Sequence, residues 1–121
     1  MNVSKKQRQL NDYLRDRLEK NRSMGPHEIK YEKFVFSVAE QVFSPAFFLG
    51  WKYYTPLLAA MNLSGKRFLE IGCGCGFTGL YLAATQNLKQ LVLADINPHA
   101  VENAKANARS LGLNTVITFY N

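Results

Sequence analysis

Hydrophobic and polar residues divide this chain into three sections with different periodicities. In the first section, apolar residues recur at three- and four-residue spacing, which predicts a helix over residues 4–23. The members of this stripe are Leu10, Tyr13, Leu14 and Leu18. Ser4 is a suitable N-cap for the helix, and Gly25 followed by Pro26 ends the pattern.

The second section, residues 25–62, is rich in aromatic side chains and has no single period. Alternating apolar positions over residues 34–38 indicate a strand, although residues 31–43 can also be wound as a helix. Further along, the pair Thr55-Pro56 resembles a helix start with proline at the first helical position. The pattern of this section therefore leaves both a strand and a helix open, whereas the patterns of the two flanking sections each predict one arrangement.

Residues 63–121 have the clearest organisation, because short apolar runs alternate with helical patterns. The predicted elements are strands 67–71, 91–95 and 116–120, with helices 78–85 and 98–111 between them. Asn97 caps the second helix, and Gly112 ends it. Strands that alternate with helices imply right-handed crossovers and a parallel sheet, so the predicted fold class is α/β. We expect three parts, a helical arm, an aromatic-rich segment and a sheet domain, at residues 1–24, 25–62 and 63–121.

Composition sets broad limits on the protein class. The 121 residues are 47% apolar and 20% charged, as in an ordinary globular domain, and no run is apolar and long enough to span a membrane. Cys73 and Cys75 are one residue apart, which suits a reducing, cytoplasmic setting better than a disulfide framework. The chain has no further cysteine, and its two histidines, His27 and His99, are distant in sequence, so the Cys-x-Cys pair falls far short of a four-ligand metal site.

The net charge of +6 is concentrated near the N-terminus, where residues 1–33 hold +4. Such an excess can attract RNA or another acidic partner through sequence-independent contacts. A solvated helix face is the simpler interpretation, because Asp12, Asp16 and Glu19 are interleaved with the basic residues. Nothing in the pattern indicates DNA specificity.

A glycine-rich turn contains the chemistry of the third section. The strand at 67–71 carries Glu70 near its end and runs directly into Gly72, Gly74 and Gly76. Glycines at such a turn let a ligand approach the backbone, and we expect their N–H groups to point outward. The next strand ends at Asp95, whose carboxylate can accept hydrogen bonds from both hydroxyls of a ribose. The sequence therefore predicts a nucleoside site.

Two cofactors compete for this site. Residues 74–79 formally match the G-x-G-x-x-G pattern of dinucleotide-binding loops. However, Gly72 already occupies the turn, and a carboxylate at Glu70 is unfavourable beside a pyrophosphate. A cationic sulfonium with an amino-acid tail suits that acid better, so S-adenosylmethionine is the predicted cofactor and a nicotinamide dinucleotide the less favoured alternative.

The stretch Phe68–Gly76 resembles the first motif of class I S-adenosylmethionine-dependent methyltransferases, whose sheet is Rossmann-like and doubly wound. Leu93–Asn107 is similar to the following segment of their small-domain N-methyltransferase branch, which acts on release-factor glutamine or ribosomal RNA guanine. Val42–Pro45 and Thr55–Leu58 are more loosely similar to the opening segment of that branch. The resemblance implies a cofactor path lined by Glu70, Gly72, Cys73, Gly74 and Gly76, with Asp95 on the ribose and Ile96 beside the adenine.

The same resemblance implies that the chain holds only the N-terminal half, three strands, of the sheet. The family's Asn-Pro-Pro-Tyr-like reaction centre follows the fourth strand, so we expect no catalytic residue before Asn121 and a truncated methyltransferase. The implied methyl acceptor is a nitrogen of protein or RNA. Two alternatives remain open. The chain can be a non-catalytic interaction module, and copies can associate through the exposed edge of strand 67–71.

Overall fold

The structure, a computed structural model, describes residues 4–121. Within that range a long helix is followed by a β-hairpin, a second helix and an alternating strand–helix unit. The elements are α1 (Lys5–Met24), β1 (His27–Tyr31), β2 (Phe34–Val38), α2 (Trp51–Ala59), β3 (Arg67–Ile71), α3 (Phe77–Thr85), β4 (Gln90–Ala94), α4 (Pro98–Leu111) and β5 (Val116–Tyr120). The division at residues 24 and 62 stays a prediction, and residues 1–3 of the predicted arm lie outside the described range.

Helix α1 confirms the helix that the N-terminal pattern predicts. The Ser4 hydroxyl accepts a hydrogen bond from the Gln7 N–H at 3.1 Å, and Gly25 follows the last turn with φ of 66°. The apolar stripe that predicts the helix is nevertheless solvent-exposed at Leu10, Tyr13 and Leu14. The helix is therefore capped locally but is not covered along its length.

Strands β1 and β2 form an antiparallel hairpin, which confirms a strand at 34–38 and shows that the alternative helix over 31–43 is wrong. Ile29 lies opposite Phe36 and Tyr31 lies opposite Phe34. These side chains pack against the core from one face of the hairpin, an arrangement that alternating positions allow and helical winding does not. Strand β1 itself was not expected.

Helix α2 corrects the predicted helix start at Thr55-Pro56. The helix begins at Trp51, and Pro56 lies inside it. An interior proline removes one helical N–H, which leaves the carbonyl of Lys52 without its usual donor. Lys52 is exposed, so water can satisfy that carbonyl. Trp51 is held in place by packing against Phe77, and the two ring centroids lie 4.8 Å apart.

Strands β3, β4 and β5 form a parallel sheet in that spatial order, which confirms the α/β class and the three-stranded half-sheet. Alternate residues of β4, Leu91 and Leu93, are fully buried. Helix α3 packs on this face so closely that a Cβ on Gly79 would lie 2.6 Å from Leu93 Cδ2. The hairpin extends the same core through Phe36 and Val38.

The opposite face of the sheet is open at its first strand. Leu69 is 58% exposed and Ile71 is 80% exposed, and β4 is the sole hydrogen-bonded neighbour of β3 among residues 4–121. Parallel sheets are normally covered on both faces, so an apolar strand at an edge is unusual. The exposed edge therefore has the apolar character that the sequence predicts.

Candidate functional site

A glycine-rich loop joins β3 to α3 at the carboxyl end of the sheet. Gly72, Gly74 and Gly76 all have positive φ, at 73°, 56° and 85°. The requirement for glycine is strictest at Gly76, where a Cβ would lie 2.8 Å from Leu80 Cδ1 and 3.2 Å from the Ala104 Cβ. At Gly72 a Cβ would meet nothing within 4 Å, so that part of the loop opens to a ligand.

The N–H groups of this loop are used within the protein. Gly72 and Cys73 both donate to the carbonyl of Ala94, at 2.8 and 3.0 Å. Gly74 donates to Asp95 Oδ2 at 2.8 Å, and Gly76 donates to the Cys73 carbonyl at 2.9 Å. The expectation that the glycine N–H groups point outward is therefore wrong, because Ala94 and Asp95 at the end of β4, and Cys73 in the loop itself, supply acceptors within the protein.

Asp95 directly follows β4 and is fixed by the loops around it. Its Oδ2 accepts the Gly74 N–H, and its Oδ1 accepts the Asn97 N–H at 2.9 Å. Each carboxylate oxygen has a further lone pair, so both can still accept a hydrogen bond from a ligand. Asp95 is thus preorganised as an acceptor at the mouth of the loop.

Glu70 lies on β3 beneath the loop. Its Oε1 accepts the N–H of Gly79, in the first turn of α3, at 3.1 Å, so the carboxylate also caps that helix. Burial raises the pKa of Glu70 to about 7, opposed by the Gly79 hydrogen bond and reinforced by the negative charge of Asp95. A cation beside this carboxylate would favour its charged form.

The two cysteines of the loop are buried free thiols. Burial raises the pKa of Cys73 and of Cys75 to about 12, so neither is a thiolate near neutral pH. Across residues 4–121 no three His, Cys, Asp or Glu side chains are grouped so as to hold a metal ion. The cysteines act as small packing residues in the turn.

The loop forms one side of a cavity of about 450 Å³. Six of the seven residues predicted from sequence line it, namely Glu70, Gly72, Cys73, Gly74, Asp95 and Ile96. Gly76 does not line it and lies behind the loop, against α4. The charged residues of the lining are the two acids alone, and no Lys, Arg or His of the described chain joins them.

The other side of the cavity comes from the aromatic-rich section, and sequence reasoning missed it. Its residues are Val42, Phe43, Ser44, Pro45, Phe48, Trp51 and Tyr54. Side-chain hydrogen bonds from Asn21 and Trp51 help to hold this wall. Asn21 bridges the Val42 carbonyl and the Ser44 N–H, at 3.0 and 2.7 Å, and the Trp51 indole donates to the Pro45 carbonyl at 2.8 Å. The loose resemblance of Val42–Pro45 to a known opening segment was the available signal.

A pair of asparagines on α4 joins the hairpin to the loop. Asn107 donates to the Cys75 carbonyl at 2.8 Å and to the Ser37 carbonyl at 2.9 Å, and it accepts the Ser37 N–H. Asn103 accepts the Ala39 N–H and donates to the Ser37 carbonyl. This pair was not predicted from the sequence. The available indication was the spacing, because two asparagines four residues apart lie on one face of a helix.

Comparison with known proteins identifies the family. Residues 62–121 match the family described as "Methyltransferase domain". An uncharacterized RNA methyltransferase of Clostridium acetobutylicum is 38% identical over 63 residues, which are 51% of this chain and 13% of that protein. The ribosomal RNA small subunit methyltransferase C of Stutzerimonas stutzeri is 38% identical over 52 residues, which are 43% of this chain and 16% of that protein.

The parallel half-sheet and the glycine turn that follows its first strand are those of a Rossmann-like half-domain. The chain belongs to the class I S-adenosylmethionine-dependent methyltransferases. It spans less than one-fifth of the length of the two curated relatives that it matches. No helix within residues 4–121 has the length and apolarity needed to cross a membrane.

Proposed function

We propose that the cavity binds S-adenosylmethionine and that the protein transfers its methyl group to a nitrogen of RNA. The observation that supports this most is the charge of the cavity lining, which contains two carboxylates and no basic side chain within the described residues. Such a lining suits a ligand with a sulfonium and an ammonium group. It disfavours the pyrophosphate of a nicotinamide dinucleotide, as do loop N–H groups that are already bonded internally.

Each residue of the cavity has a distinct part in this proposal. Asp95 accepts hydrogen bonds from the two ribose hydroxyls, and Ile96, which is 96% exposed, packs beside the adenine. Glu70 faces the amino-acid end of the cofactor, where its carboxylate interacts with the ammonium group. Gly72 leaves room for the ligand because, its own atoms and those of its two chain neighbours aside, no heavy atom of the described protein lies within 4 Å of the position that a Cβ would take.

RNA is the favoured acceptor because both matched relatives are named as RNA methyltransferases. A protein nitrogen is the second candidate, and no residue of this chain is assigned to the transfer step. A cytoplasmic location agrees with two free cysteines in the turn.

Calorimetric titration with S-adenosylmethionine and, separately, with a reduced nicotinamide dinucleotide tests the cofactor. We expect S-adenosylmethionine to bind more tightly, and we expect Asp95→Ala to weaken it by at least about tenfold, the loss typical of a charged hydrogen bond. Asp12→Ala, which removes an exposed acid from α1, is the matched control and should leave the affinity unchanged. Tighter binding of the dinucleotide would overturn the proposal.

The exposed edge at β3 supports a second candidate, an interaction module whose copies pair along that strand. Leu69 and Ile71 present an apolar surface next to unpaired strand N–H and C=O groups. Size-exclusion chromatography with light scattering measures the molar mass of the 121-residue chain. A dimer that Leu69→Lys converts to a monomer supports pairing, and a stable wild-type monomer rejects it.

A further inference from the structure

Helix α1 has more basic than acidic residues and is mostly free of contacts with the rest of the protein. It holds seven Lys and Arg residues against three Asp and Glu, a net charge of +4. Every residue from Lys5 to Asp16 is exposed, and Asn21 is its one buried residue. Most of the helix is therefore available to a partner.

Three arginines form a single row along this helix. Arg8, Arg15 and Arg22 are seven residues apart, a spacing that drifts by only about 20° per step. At 1.5 Å per residue the row is about 21 Å long. Asp12 and Glu19 lie within one turn of these arginines, yet the one ion pair of α1 in the described chain joins Lys20 to Asp16. The three guanidinium groups are thus free to bind an external anion.

The C-terminal end of α1 is attached to the cavity. Asn21, which immediately precedes Arg22, bonds to Val42 and Ser44, and both of these residues line the cofactor cavity. Asn21 is buried, and both polar atoms of its side-chain amide, Nδ2 and Oδ1, take part in the attachment. Arg22, at one end of the basic row, therefore directly follows a residue that is bonded to the wall of the cavity.

From these observations we propose that α1 is an RNA-docking arm that binds phosphates through Arg8, Arg15 and Arg22. The inference rests on the proposed function for the choice of RNA over an acidic protein, since both relatives are named RNA methyltransferases. Its physical basis is separate, because regularly spaced, unpaired guanidinium groups complement a chain of phosphates. Attachment at Asn21 places the docked RNA next to the cavity.

Fluorescence anisotropy with a labelled single-stranded RNA of about 20 nucleotides tests the arm. We compare wild type with a triple variant, Arg8→Gln, Arg15→Gln and Arg22→Gln, which keeps good helix formers at all three positions. The matched control removes the same charge at the other end of the sheet, with Lys66→Gln, Arg67→Gln and Lys89→Gln, all exposed. Circular dichroism checks that every variant keeps its helix content.

The arm variant should bind the RNA at least about tenfold more weakly than wild type and should reduce the salt slope of log K by about 2, for three lost phosphate contacts. The control should lose much less, and the corresponding arginine-to-lysine triple should keep most of the affinity because it keeps the charge. Equal losses in the arm variant and the control would overturn the inference.

Further measurements separate RNA docking by α1 from the proposed cofactor binding and from protein binding by the same helix. Calorimetry with S-adenosylmethionine should give the same affinity for wild type and the arm variant. RNA binding by the arm in a protein that does not bind the cofactor would reject the proposed function and retain the arm. If the arm variant binds RNA as wild type does, while Leu10→Gln with Leu14→Gln lowers the molar mass in light scattering, the helix binds protein and the RNA inference fails.

Discussion

The two walls of the cavity are held in different ways. The glycine loop is fixed by neighbours at the carboxyl ends of the strands, through bonds from Gly72 and Gly74 to Ala94 and Asp95. The facing wall depends on side-chain hydrogen bonds, from the distant Asn21 of α1 and from Trp51, which is six residues from its acceptor Pro45. The sheet therefore preorganises one wall, whereas side-chain hydrogen bonds assemble the other.

The largest expected effect is on the loop wall. Gly76→Ala should lower the free energy of unfolding by about 3 kcal/mol, because a left-handed alanine is strained and its Cβ would collide with Leu80. Gly112→Ala is the matched control, since Gly112 also has positive φ but a Cβ there meets nothing within 4 Å. We expect that control to cost about 1 kcal/mol in urea denaturation. Equal losses would show that the loop is not tightly packed.

A smaller and more local effect is expected on the facing wall. Asn21→Ala removes two buried hydrogen bonds and should lower the free energy of unfolding by about 2 kcal/mol. Hydrogen exchange should become faster at residues 42–48 and stay unchanged at residues 72–76. The exposed Asn11→Ala is the control and should change neither region. Faster exchange in both walls would mean that they form one cooperative unit.

Sequence reasoning reached these two walls unequally. Strands and helices of residues 63–121 were predicted nearly in full, because strand ends, glycine turns and the Asn97 cap are local features of the chain. The facing wall depends on pairs such as Asn21 with Val42 and Ser44, which are 21 and 23 residues apart. No period or spacing in the sequence indicates such a pair. The helix start predicted at Pro56 was wrong for a related reason, because α2 already begins at Trp51, which packs against the distant Phe77.

The functional residues also differ in whether local sequence or only the tertiary structure indicates them. Glu70 and Asp95 were predicted because each follows or ends a strand at the edge where ligands bind. The internal use of the loop N–H groups could not be predicted, since it depends on where the Ala94 carbonyl lies after the sheet forms. Contact between Asn107 and Cys75, 32 residues apart, is another product of tertiary structure.

The smallest expected effect concerns pH and Glu70. Its pKa of about 7 means that the free protein loses the charged form below neutrality, so affinity for cationic S-adenosylmethionine should fall about tenfold from about pH 8 to pH 6. Glu70→Gln should remove that dependence, and Glu102→Gln, an exposed acid on α4, should not. Calorimetry across this pH range measures it, and the same slope in Glu70→Gln would exclude Glu70 as its source.

The raised pKa of Glu70 also affects the stability of the fold, which should fall as pH rises, whereas the affinity for the cofactor should rise. Because the folded-state pKa of Glu70 lies above the ordinary value of 4.5, the folded protein keeps a proton that the unfolded chain releases. Its contribution to the free energy of unfolding is therefore present below about pH 4.5 and is lost as pH rises through about 7. Replacing the acid by Gln should flatten this part of the stability profile in urea denaturation.

The most direct test of the assignment of Asp95 to the cofactor ribose compares S-adenosylmethionine with its 2′-deoxyribose analogue, in wild type and in Asp95→Ala. The comparison is made within each protein, so a general loosening of the loop affects both ligands alike. In wild type we expect the analogue to bind at least about tenfold more weakly, because it lacks one of the two ribose hydroxyls that donate to the Asp95 carboxylate. In Asp95→Ala the two ligands should bind equally. An unchanged ratio in the variant, or no binding of S-adenosylmethionine by wild type, would contradict the assignment of Asp95 to the ribose.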